Sequence, residues 1–500
     1  MVETTAPSGF HLHDFPGGTA MRNRFFRRYS PVVLALALGA GLLAAGPAAG
    51  ATPVPVAITV DATRAGYADE SFTGFSYEKD RMAAGMFASS NTALVNLFRL
   101  LGHGYLRIGG NLVNHATWKP NGTGGVIGEI APADVDKLAG FLQATGWKVV
   151  YGINGTSRTL SDSDVQRGVV PNTAVNAAGE AAYAAQKLGG NLVAFEIGNE
   201  PNQYSSANTL TDYEGVYESF TAEILKSVPN AKFDGPGCLY SESWAAPFAQ
   251  REKSPALSFL AAHYYIGAPT STTTTTSMMT NNPSGPLSTD TKLNAAAAAA
   301  GIGWRMTEAN SYYTGGKAGV SSSKAASLWA LDFLEGVAEN GGSGVNFHGG
   351  VSSQFTLYYT PIAFNSDGVT PSGVQAVYYA QLLWKLAGTG RLHKTTIDAD
   401  PSVITSPGLT SWGIGNNVIV NNKSDYPITA TITLADTAVS ARSYELAGPQ
   451  LSTSDITVGG GTVDATGNFT GTATPLTVTG TNKVTVTVPA HDATLVITQK

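Results

Sequence analysis

Short apolar runs alternate with longer amphipathic stretches between residues 72 and 350 of this chain of 500 residues. The runs are rich in β-branched and aromatic residues, whereas the longer stretches repeat apolar positions at helical spacing, as Val135, Leu138 and Leu142 do. We predict eight strands: Phe72–Tyr77, Tyr105–Gly109, Lys148–Ile153, Leu192–Ile197, Ala231–Gly235, Ser258–Tyr264, Gly303–Glu308 and Gly344–Phe347. The helices predicted between them include Asn91–Leu101, Ala133–Thr145, Thr173–Leu188, Asp212–Ser227, Thr291–Ala300 and Ser321–Asn340. This alternation predicts an α/β fold, a parallel (β/α)₈ TIM barrel.

The pattern changes after about Leu386. Apolar and polar residues then alternate in short runs, and Gly-rich or Asp/Asn turns separate these runs. This alternating pattern with frequent turns predicts a C-terminal antiparallel β-sandwich. Ala57–Asp61 alternates in the same way ahead of the barrel. We therefore predict a catalytic barrel over 71–385, a β-sandwich domain over 386–500 and an N-terminal strand over 52–70 that joins the sandwich.

The first 51 residues have the organisation of a secretory signal peptide preceded by an upstream extension. Met21–Arg28 is basic, Pro31–Gly46 is apolar, and Ala49-Gly50-Ala51 is a small-x-small cleavage site. A membrane anchor is the alternative, but a span needs about 20 apolar residues and this run is shorter. We predict a signal peptide that starts near Met21 and is cleaved after Ala51. The protein is then secreted or periplasmic, with no stable membrane span after cleavage.

Charge and cysteine content narrow the function classes. The chain has 30 Lys and Arg against 36 Asp and Glu, a net charge of −6, and no basic stripe runs along the mature sequence. This balance argues against a nucleic-acid partner. The single cysteine, Cys238, excludes an intrachain disulfide and a zinc site built from several cysteines.

Two glutamates stand at the ends of predicted strands that face each other across such a barrel. Glu200 follows the fourth strand in an Asn199-Glu200-Pro201 turn, and Glu308 ends the seventh strand. Cleavage of a glycosidic bond needs an acid that protonates the leaving oxygen and a second carboxylate at the anomeric carbon. We therefore predict a glycoside hydrolase with Glu200 and Glu308 as its catalytic pair, beside which Asn199 could hold a sugar hydroxyl.

Each glutamate also has a structural alternative. Glu200 could cap the helix that follows it, and Glu308 could form a salt bridge with Arg305 or Arg107. A separation of about 5–5.5 Å between the two carboxyl groups would indicate retention of configuration, and about 6.5–9.5 Å would indicate inversion. The spacing in the folded protein therefore bears on the stereochemistry.

Six segments, two of which contain Glu200 and Glu308, form a longer motif pattern: Gly74-Phe75-Ser76-Tyr77-Glu78, Leu106-Arg107-Ile108-Gly109-Gly110-Asn111, Asn199-Glu200-Pro201, Ala262-His263-Tyr264-Tyr265, Thr307-Glu308-Ala309-Asn310-Ser311-Tyr312-Tyr313 and Asn346-Phe347-His348-Gly349-Gly350. In this order and spacing they resemble glycoside hydrolase family 79, the β-glucuronidase and heparanase family, from about Phe72 to the C-terminus. The resemblance implies a retaining, exo-acting β-glucuronidase in which Glu200 is the acid/base and Glu308 the nucleophile. It implies a β-glucuronide or a uronic-acid-containing glycan as substrate, and no metal or cofactor.

The same resemblance implies substrate contacts. Glu78 corresponds to a carboxylate that holds ring hydroxyls, and Asn111 to a residue that contacts the sugar. Tyr264 corresponds to the tyrosine that hydrogen-bonds the nucleophile, and Tyr313 to one near the uronate carboxylate. Candidates for the remaining carboxylate contacts, after the eighth strand, are Gly349, Gly350, Tyr358 and Tyr359.

These assignments leave alternatives open. Glu78 could pair with Lys79 or Arg107, Asn111 could cap its turn, and the tyrosines could simply pack. Two functional hypotheses compete with a β-glucuronidase. One is a retaining barrel glycosidase for a neutral sugar, like a β-xylosidase or β-glucosidase, and the other is a non-catalytic carbohydrate-binding surface protein. The presence of both carboxylates at the expected strand ends favours an enzyme.

Overall fold

The computed structural model describes residues 52–156, 160–204, 209–239, 242–281 and 284–500. The signal peptide predicted over residues 1–51 lies outside these ranges. Within them, no helix is both long and apolar enough to cross a membrane.

Eight parallel strands close into a barrel, and each strand pairs with the next along the chain until the eighth pairs with the first. The strands are β1 Thr73–Glu78, β2 Tyr105–Gly109, β3 Lys148–Ile153, β4 Leu192–Ile197, β5 Phe233–Leu239, β6 Leu257–Tyr265, β7 Gly303–Asn310 and β8 Val345–Gly349. The largest difference from the predicted bounds is in β5, which continues beyond Gly235 through Pro236 and Gly237 with a shift in register. Glycine and proline made this segment look like a loop, but a β-bulge accommodates both within a strand.

Helices connect these strands and cover the outside of the barrel, except that the last helix lies between two strands of the C-terminal sheet. They are α1 Asp80–Ala83, α2 Thr92–Leu100, α3 Pro132–Thr145, α4 Asp162–Gln166, α5 Ala174–Leu188, α6 Leu210–Ser227, α7 Glu242–Arg251, α8 Thr275–Thr280, α9 Ser284–Ala300, α10 Lys324–Glu339, α11 Ala376–Leu386 and α12 Pro401–Ile404. Short 3₁₀ turns lie at Asn111–His115, Gly189–Asn191 and Pro201–Gln203. Local chemistry sets several ends: Asn91 and Thr173 accept backbone N–H groups as N-caps, and Gly146 ends α3 in the left-handed conformation.

An eleven-stranded sheet forms the second part of the fold and curls over its own apolar core, which includes Ile58, Ile432 and Val488. Its strands are Val54–Ala68, Gly390–Ala399, Leu409–Ile414, Asn417–Asn422, Ile428–Thr433, Ser440–Ala447, Thr457–Val458, Thr474–Leu476, Val478–Thr479, Lys483–Val488 and Asp492–Gln499. The strand Val54–Ala68 pairs antiparallel with Gly390–Ala399 and parallel with Ile428–Thr433. The predicted fold class, a TIM barrel with an appended β-sandwich, is confirmed. Two small ribbons pair Thr117–Trp118 with Glu129–Ile130 and Ile362–Phe364 with Pro371–Val374.

Buried ion pairs join the sheet to helix α10 of the barrel. Lys324 at the start of α10 lies 2.5 Å from Asp492, and Lys423 lies 2.9 Å from Asp332 in the middle of α10. Asp332 also accepts hydrogen bonds from the Asn421 side chain at 2.7 Å and from the Thr410 hydroxyl at 2.6 Å. At this junction the two buried lysines are thus each paired with a carboxylate of the other part.

We expect Lys423→Met to lower the free energy of unfolding by about 3 kcal/mol, because it leaves the buried carboxylate of Asp332 without its cation. The control is Lys500→Met, which breaks an exposed pair with Asp436 and should cost at most about 1 kcal/mol. Urea denaturation of both variants measures the difference. Equal losses in the two variants would contradict a stabilising role for the buried pair.

Candidate active site

The C-terminal ends of β4 and β7 bring Glu200 and Glu308 to the same end of the barrel. Glu200 follows β4 in the left-handed backbone conformation, with φ 44° and ψ 56°, and its N–H donates to the carbonyl of Gly237 at 3.0 Å. A non-glycine residue adopts this conformation at a cost, which the surrounding structure must offset. The strained turn fixes the direction in which the Glu200 side chain leaves the strand.

The two carboxylates are buried and close together. Glu200 is 9% exposed and Glu308 is 6% exposed. A carboxylate oxygen of each lies within 4.8 Å of the other, and a ring nitrogen of His263 lies within the same distance of both. The structure therefore brings the two predicted catalytic residues into one site.

Three side chains surround the carboxylate of Glu308. Arg107 donates to one oxygen at 2.6 Å, and the hydroxyl of Tyr265 donates to the other at 2.9 Å. A ring nitrogen of His348 lies 3.6 Å away. Of the two alternatives for a salt bridge, Arg107 is therefore the partner, whereas Arg305 instead donates to Asn346 at 2.6 Å.

These contacts determine the charge of Glu308. Burial by itself would raise the pKa of Glu308, but His348, His263 and Arg107, together with the Tyr265 hydrogen bond, lower it to about 2. Burial lowers the pKa of His348, so its ring is neutral at neutral pH. Arg107 is then the permanent cation that keeps Glu308 ionised.

Glu200 has a different environment. One of its carboxylate oxygens lies 2.9 Å from Nδ1 of His263, whose side chain is fully buried. The two buried histidines of the site lie beside different glutamates, since His263 contacts Glu200 and His348 lies near Glu308.

The assignment of Tyr264 to the nucleophile is wrong, and Tyr265 occupies that place. The hydroxyl of Tyr264 donates to Asn281 at 2.8 Å, and its ring stacks on Phe333 of α10 at 5.3 Å. Successive side chains of a strand point to opposite faces, so only one of two neighbouring tyrosines can face the barrel interior. His263 faces inward, and the same alternation then directs Tyr265 inward and Tyr264 toward the helices.

Glu78, Asn111 and Asn199 lie on the same rim. Glu78 accepts the N–H of Leu112 at 2.7 Å and lies 3.8 Å from His348, and burial raises its pKa to about 8. Asn199 is buried and donates to the side-chain oxygen of Asn111 at 3.2 Å, while Asn111 is exposed. Glu78 therefore borders the site as an acid. Neither ion-pair partner considered for it is available, because Lys79 pairs with Glu180 and Arg107 donates to other side chains.

The tyrosines that follow β7 and β8 differ in how near they lie to Tyr265. The rings of Tyr313 and Tyr359 lie 6.4 Å and 6.1 Å from the ring of Tyr265. Tyr358 is half-buried, and its N–H donates to the carbonyl of Gly315 at 2.7 Å. Of the two candidates, Tyr359 is therefore the one that the structure brings beside Tyr265.

Gly349 ends β8 where the chain folds back on itself. A Cβ at this position would approach the Thr360 hydroxyl and the Pro361 ring to 2.7 Å. The absence of a side chain lets the segment before Ile362 pack against the strand end. That packing supports the position of Tyr359.

The sequence reasoning missed two residues. Tyr265 could have been found from the strand alternation through His263. Tyr204 lies beyond Glu200, near Asn114, and burial raises its pKa to about 12 while nearby Glu200 and Glu78 add to the shift. No local pattern distinguishes Tyr204 from an ordinary loop tyrosine, because only the fold brings it to the rim.

Among the described residues, one group of three side chains has the geometry of metal ligands: Glu200, His263 and Glu308. Their existing partners do not fit such a role. Both oxygens of Glu308 already accept hydrogen bonds, from Arg107 and Tyr265, and an ion between the three ligands would lie near the guanidinium. The donors around Glu308 therefore fit an ionised carboxylate held by protein groups better than they fit a metal ligand.

Comparison with known proteins agrees with the fold. No protein-family model matches the chain. A β-glucuronidase of Aspergillus niger is 26% identical over a 334-residue alignment, which covers 59% of this chain and 59% of that enzyme. The alignment therefore spans less than two thirds of the fungal enzyme.

Solved structures match over most of the chain. A 4-O-α-L-rhamnosyl-β-D-glucuronidase of Fusarium oxysporum, in complex with Rha-GlcA, has a TM-score of 0.68 and 20% identity, covering 90% of this chain and 99% of that one. A family 51 arabinofuranosidase of Xanthomonas axonopodis has a TM-score of 0.64 and 14% identity, covering 89% and 100%. The chain thus has the fold of barrel glycosidases that carry an additional β-sandwich domain.

We expect Tyr265→Phe to raise the pKa of Glu308 by about one unit, because a hydrogen bond to a charged carboxylate contributes about 1.5 kcal/mol. The matched control is Tyr264→Phe, which removes the same group from a tyrosine that faces Asn281 and should leave that pKa unchanged. Carbon-13 NMR of labelled glutamate carboxyls, assigned with Glu308→Gln, follows the titration. An equal shift in both variants would contradict the placement of the two tyrosines.

Proposed function

We propose that this protein is a retaining β-glucuronidase of the family 79 type, in which Glu200 is the acid/base and Glu308 the nucleophile. The observation that carries the proposal is the unequal environment of two neighbouring carboxylates. Arg107 and Tyr265 hold Glu308 in its ionised form, whereas Glu200 contacts a histidine. An approach of carboxylate oxygens to within 4.8 Å fits the spacing of retaining enzymes, about 5–5.5 Å, better than that of inverting ones.

The reaction then runs in two displacements. Protonated Glu200 donates its proton to the glycosidic oxygen while a carboxylate oxygen of Glu308 bonds to the anomeric carbon, and the alcohol leaves. Glu200, now ionised, removes a proton from water, and the resulting hydroxide attacks the anomeric carbon and breaks the ester to Glu308. Two inversions give net retention, and both glutamates return to their starting states.

Arg107 and Tyr265 have a clear part in this cycle. They stabilise the negative charge that Glu308 carries before attack and regains when the ester breaks. Because both donors are fixed before substrate arrives, they need no rearrangement during the reaction. The same donors keep Glu308 from taking the proton that Glu200 must carry.

The proposed substrate is a β-glucuronide, and the protein acts on it from the chain end. The two relatives whose names include β-glucuronidase support this choice. In this proposal Glu78, Asn111 and Asn199 hold ring hydroxyls. The phenols of Tyr313 and Tyr359, whose rings lie near that of Tyr265, donate to the uronate carboxylate. Secretion, as the N-terminal signal predicts, would bring the enzyme to extracellular or periplasmic glycans.

A neutral-sugar glycosidase is the second candidate. The observation that favours it is that Arg107, the cation beneath the site, already uses all five of its N–H groups on protein acceptors. A uronate carboxylate would therefore have to rely on neutral donors. The solved arabinofuranosidase with the same fold acts, by its name, on a neutral sugar.

We expect Glu308→Ala to reduce kcat on an aryl β-glucuronide by at least about 1,000-fold, because the attacking group is lost. Glu70→Ala is the control: it removes a glutamate that is exposed, with a side chain 64% accessible, and should leave kcat unchanged. Proton NMR of the wild-type product should show the β anomer first. Wild-type turnover by Glu308→Ala, or an α anomer formed first, would refute the mechanism.

We expect a panel of aryl glycosides to separate the two candidate substrates. The β-glucuronide should be cleaved with a kcat/KM at least about 100-fold above those of the β-glucoside and β-xyloside, since a site that hydrogen-bonds a polar group discriminates against substrates without it. Tyr359→Phe should reduce this preference, and Tyr358→Phe, the matched control, should not. A preference for a neutral sugar in the wild type would favour the second candidate.

A further inference from the structure

A second pair of carboxylates lies inside the barrel, below Glu200 and Glu308. Glu196 on β4 and Asp234 on β5 are register partners on neighbouring parallel strands, so their side chains point to the same face of the sheet. Glu196 is 1% exposed and Asp234 is 0% exposed. The proposed reaction uses neither of them directly.

The five N–H groups of Arg107, the cation beside this pair, are already used. Two N–H groups of Arg107 donate to one oxygen of Glu196, and its other three go to Asn199, Glu308 and Ser76. Within the described part of the chain, no donor reaches Oε2 of Glu196 or either oxygen of Asp234. Ionised carboxylates only accept hydrogen bonds, so these two can bond to each other only through a proton.

Charge balance leads to the same result. Three carboxylates, those of Glu196, Asp234 and Glu308, lie around the guanidinium of Arg107. If all three were ionised, two negative charges would be buried without a counterion. A buried carboxylate in that situation takes up a proton instead. Burial, reinforced by the charge of Glu196, raises the pKa of Asp234 well above its usual range.

The other titratable groups near the pair add no fixed charge. Burial raises the pKa values of Tyr213 and Tyr217 on α6, and of Cys238 on β5, so all three are neutral at physiological pH. The ring of His263 lies beyond Gly237 and is bonded to Glu200 through Nδ1. Arg107 is therefore the cation that the pair must balance.

We propose that Asp234 and Glu196 share one proton, and that the single negative charge they retain holds Arg107 beneath Glu308 and sets the electrostatic field at both catalytic glutamates. The proton lies between Asp234 and Oε2 of Glu196. Both are positioning residues, because they act through Arg107 and touch no substrate. Their effect on catalysis rests on the proposed function, whereas the location of the proton does not.

Difference infrared spectroscopy at pH 6.5 tests the proton directly. The spectrum of the wild type minus that of Asp234→Asn should contain the C=O stretching band of a protonated carboxylic acid. Asp290→Asn is the matched control, since burial raises the pKa of this fully buried aspartate on α9 to about 8 and its variant should lose a band of the same kind. A difference spectrum for Asp234→Asn with carboxylate bands alone would overturn the proposal.

The pH dependence of kcat/KM on an aryl β-glucuronide tests the coupling to the site. Asp234→Asn keeps one negative charge on the pair, so its alkaline limb should fall at the wild-type pH, as should that of Asp290→Asn. The double variant Glu196→Gln/Asp234→Asn removes that charge. Arg107 then favours the ionised form of Glu200 more strongly, and the alkaline limb should move down by about one pH unit.

The outcomes are distinguishable. An alkaline limb of Asp234→Asn that moves as far as that of the double variant would show that Asp234 is ionised and would overturn the proposal. An infrared band together with an unmoved limb in a folded double variant would overturn the coupling to the catalytic glutamates. A wild type inactive on every glycoside would refute the proposed function, and the infrared result would still decide where the proton lies, as it would for a double variant that does not fold.

Discussion

Arg107 lies in the interior of the barrel and donates its five N–H groups to side chains from opposite walls. Its acceptors belong to β1, to β4 and the turn that follows it, and to β7. A guanidinium without water must satisfy every donor within the protein, and its planar shape fixes the directions in which the acceptors lie. The positions of Glu308 and Asn199 relative to each other follow from this one side chain.

The two glutamates of the candidate site differ because this cation lies nearer to one of them. Glu308 bonds to the guanidinium, so its negative charge is compensated inside the protein. Glu200 leaves its strand through a strained turn and reaches a histidine instead. A barrel offers many strand ends to carboxylates, but the donors around these two give them different surroundings. The difference depends on Arg107, which lies below the site in the barrel core.

The sequence was sufficient for the barrel and for its two glutamates, because both depend on short-range patterns. Apolar runs that end in polar residues define the strands, and Glu200 and Glu308 follow from their place at strand ends. Helix α11 was missed since it is apolar on all sides, as a helix must be between the barrel and the second sheet. A predicted amphipathic stripe cannot identify such a helix.

Side-chain partners were harder to predict than strands. The resemblance assigned Tyr264 to Glu308, whereas the alternation of side chains along the strand turns Tyr265 inward to that carboxylate. Tyr204 and the pair of Glu196 and Asp234 depend on contacts between elements distant in sequence, which no local pattern contains. Their roles follow only when the donors and charges around each buried group are counted in three dimensions.

The second sheet is joined to the helix that follows the strand of Glu308. Helix α10 connects β7, with Glu308, to β8, with His348. On its inner side Phe333 stacks on Tyr264, and Trp329 packs against Phe347. On the opposite side, Lys324 and Asp332 are held by ion pairs to the sheet domain. A buried ion pair tolerates little displacement, because separation leaves both charges unpaired in a medium of low dielectric constant. The sheet domain therefore stabilises the helix against which β6 and β8 pack.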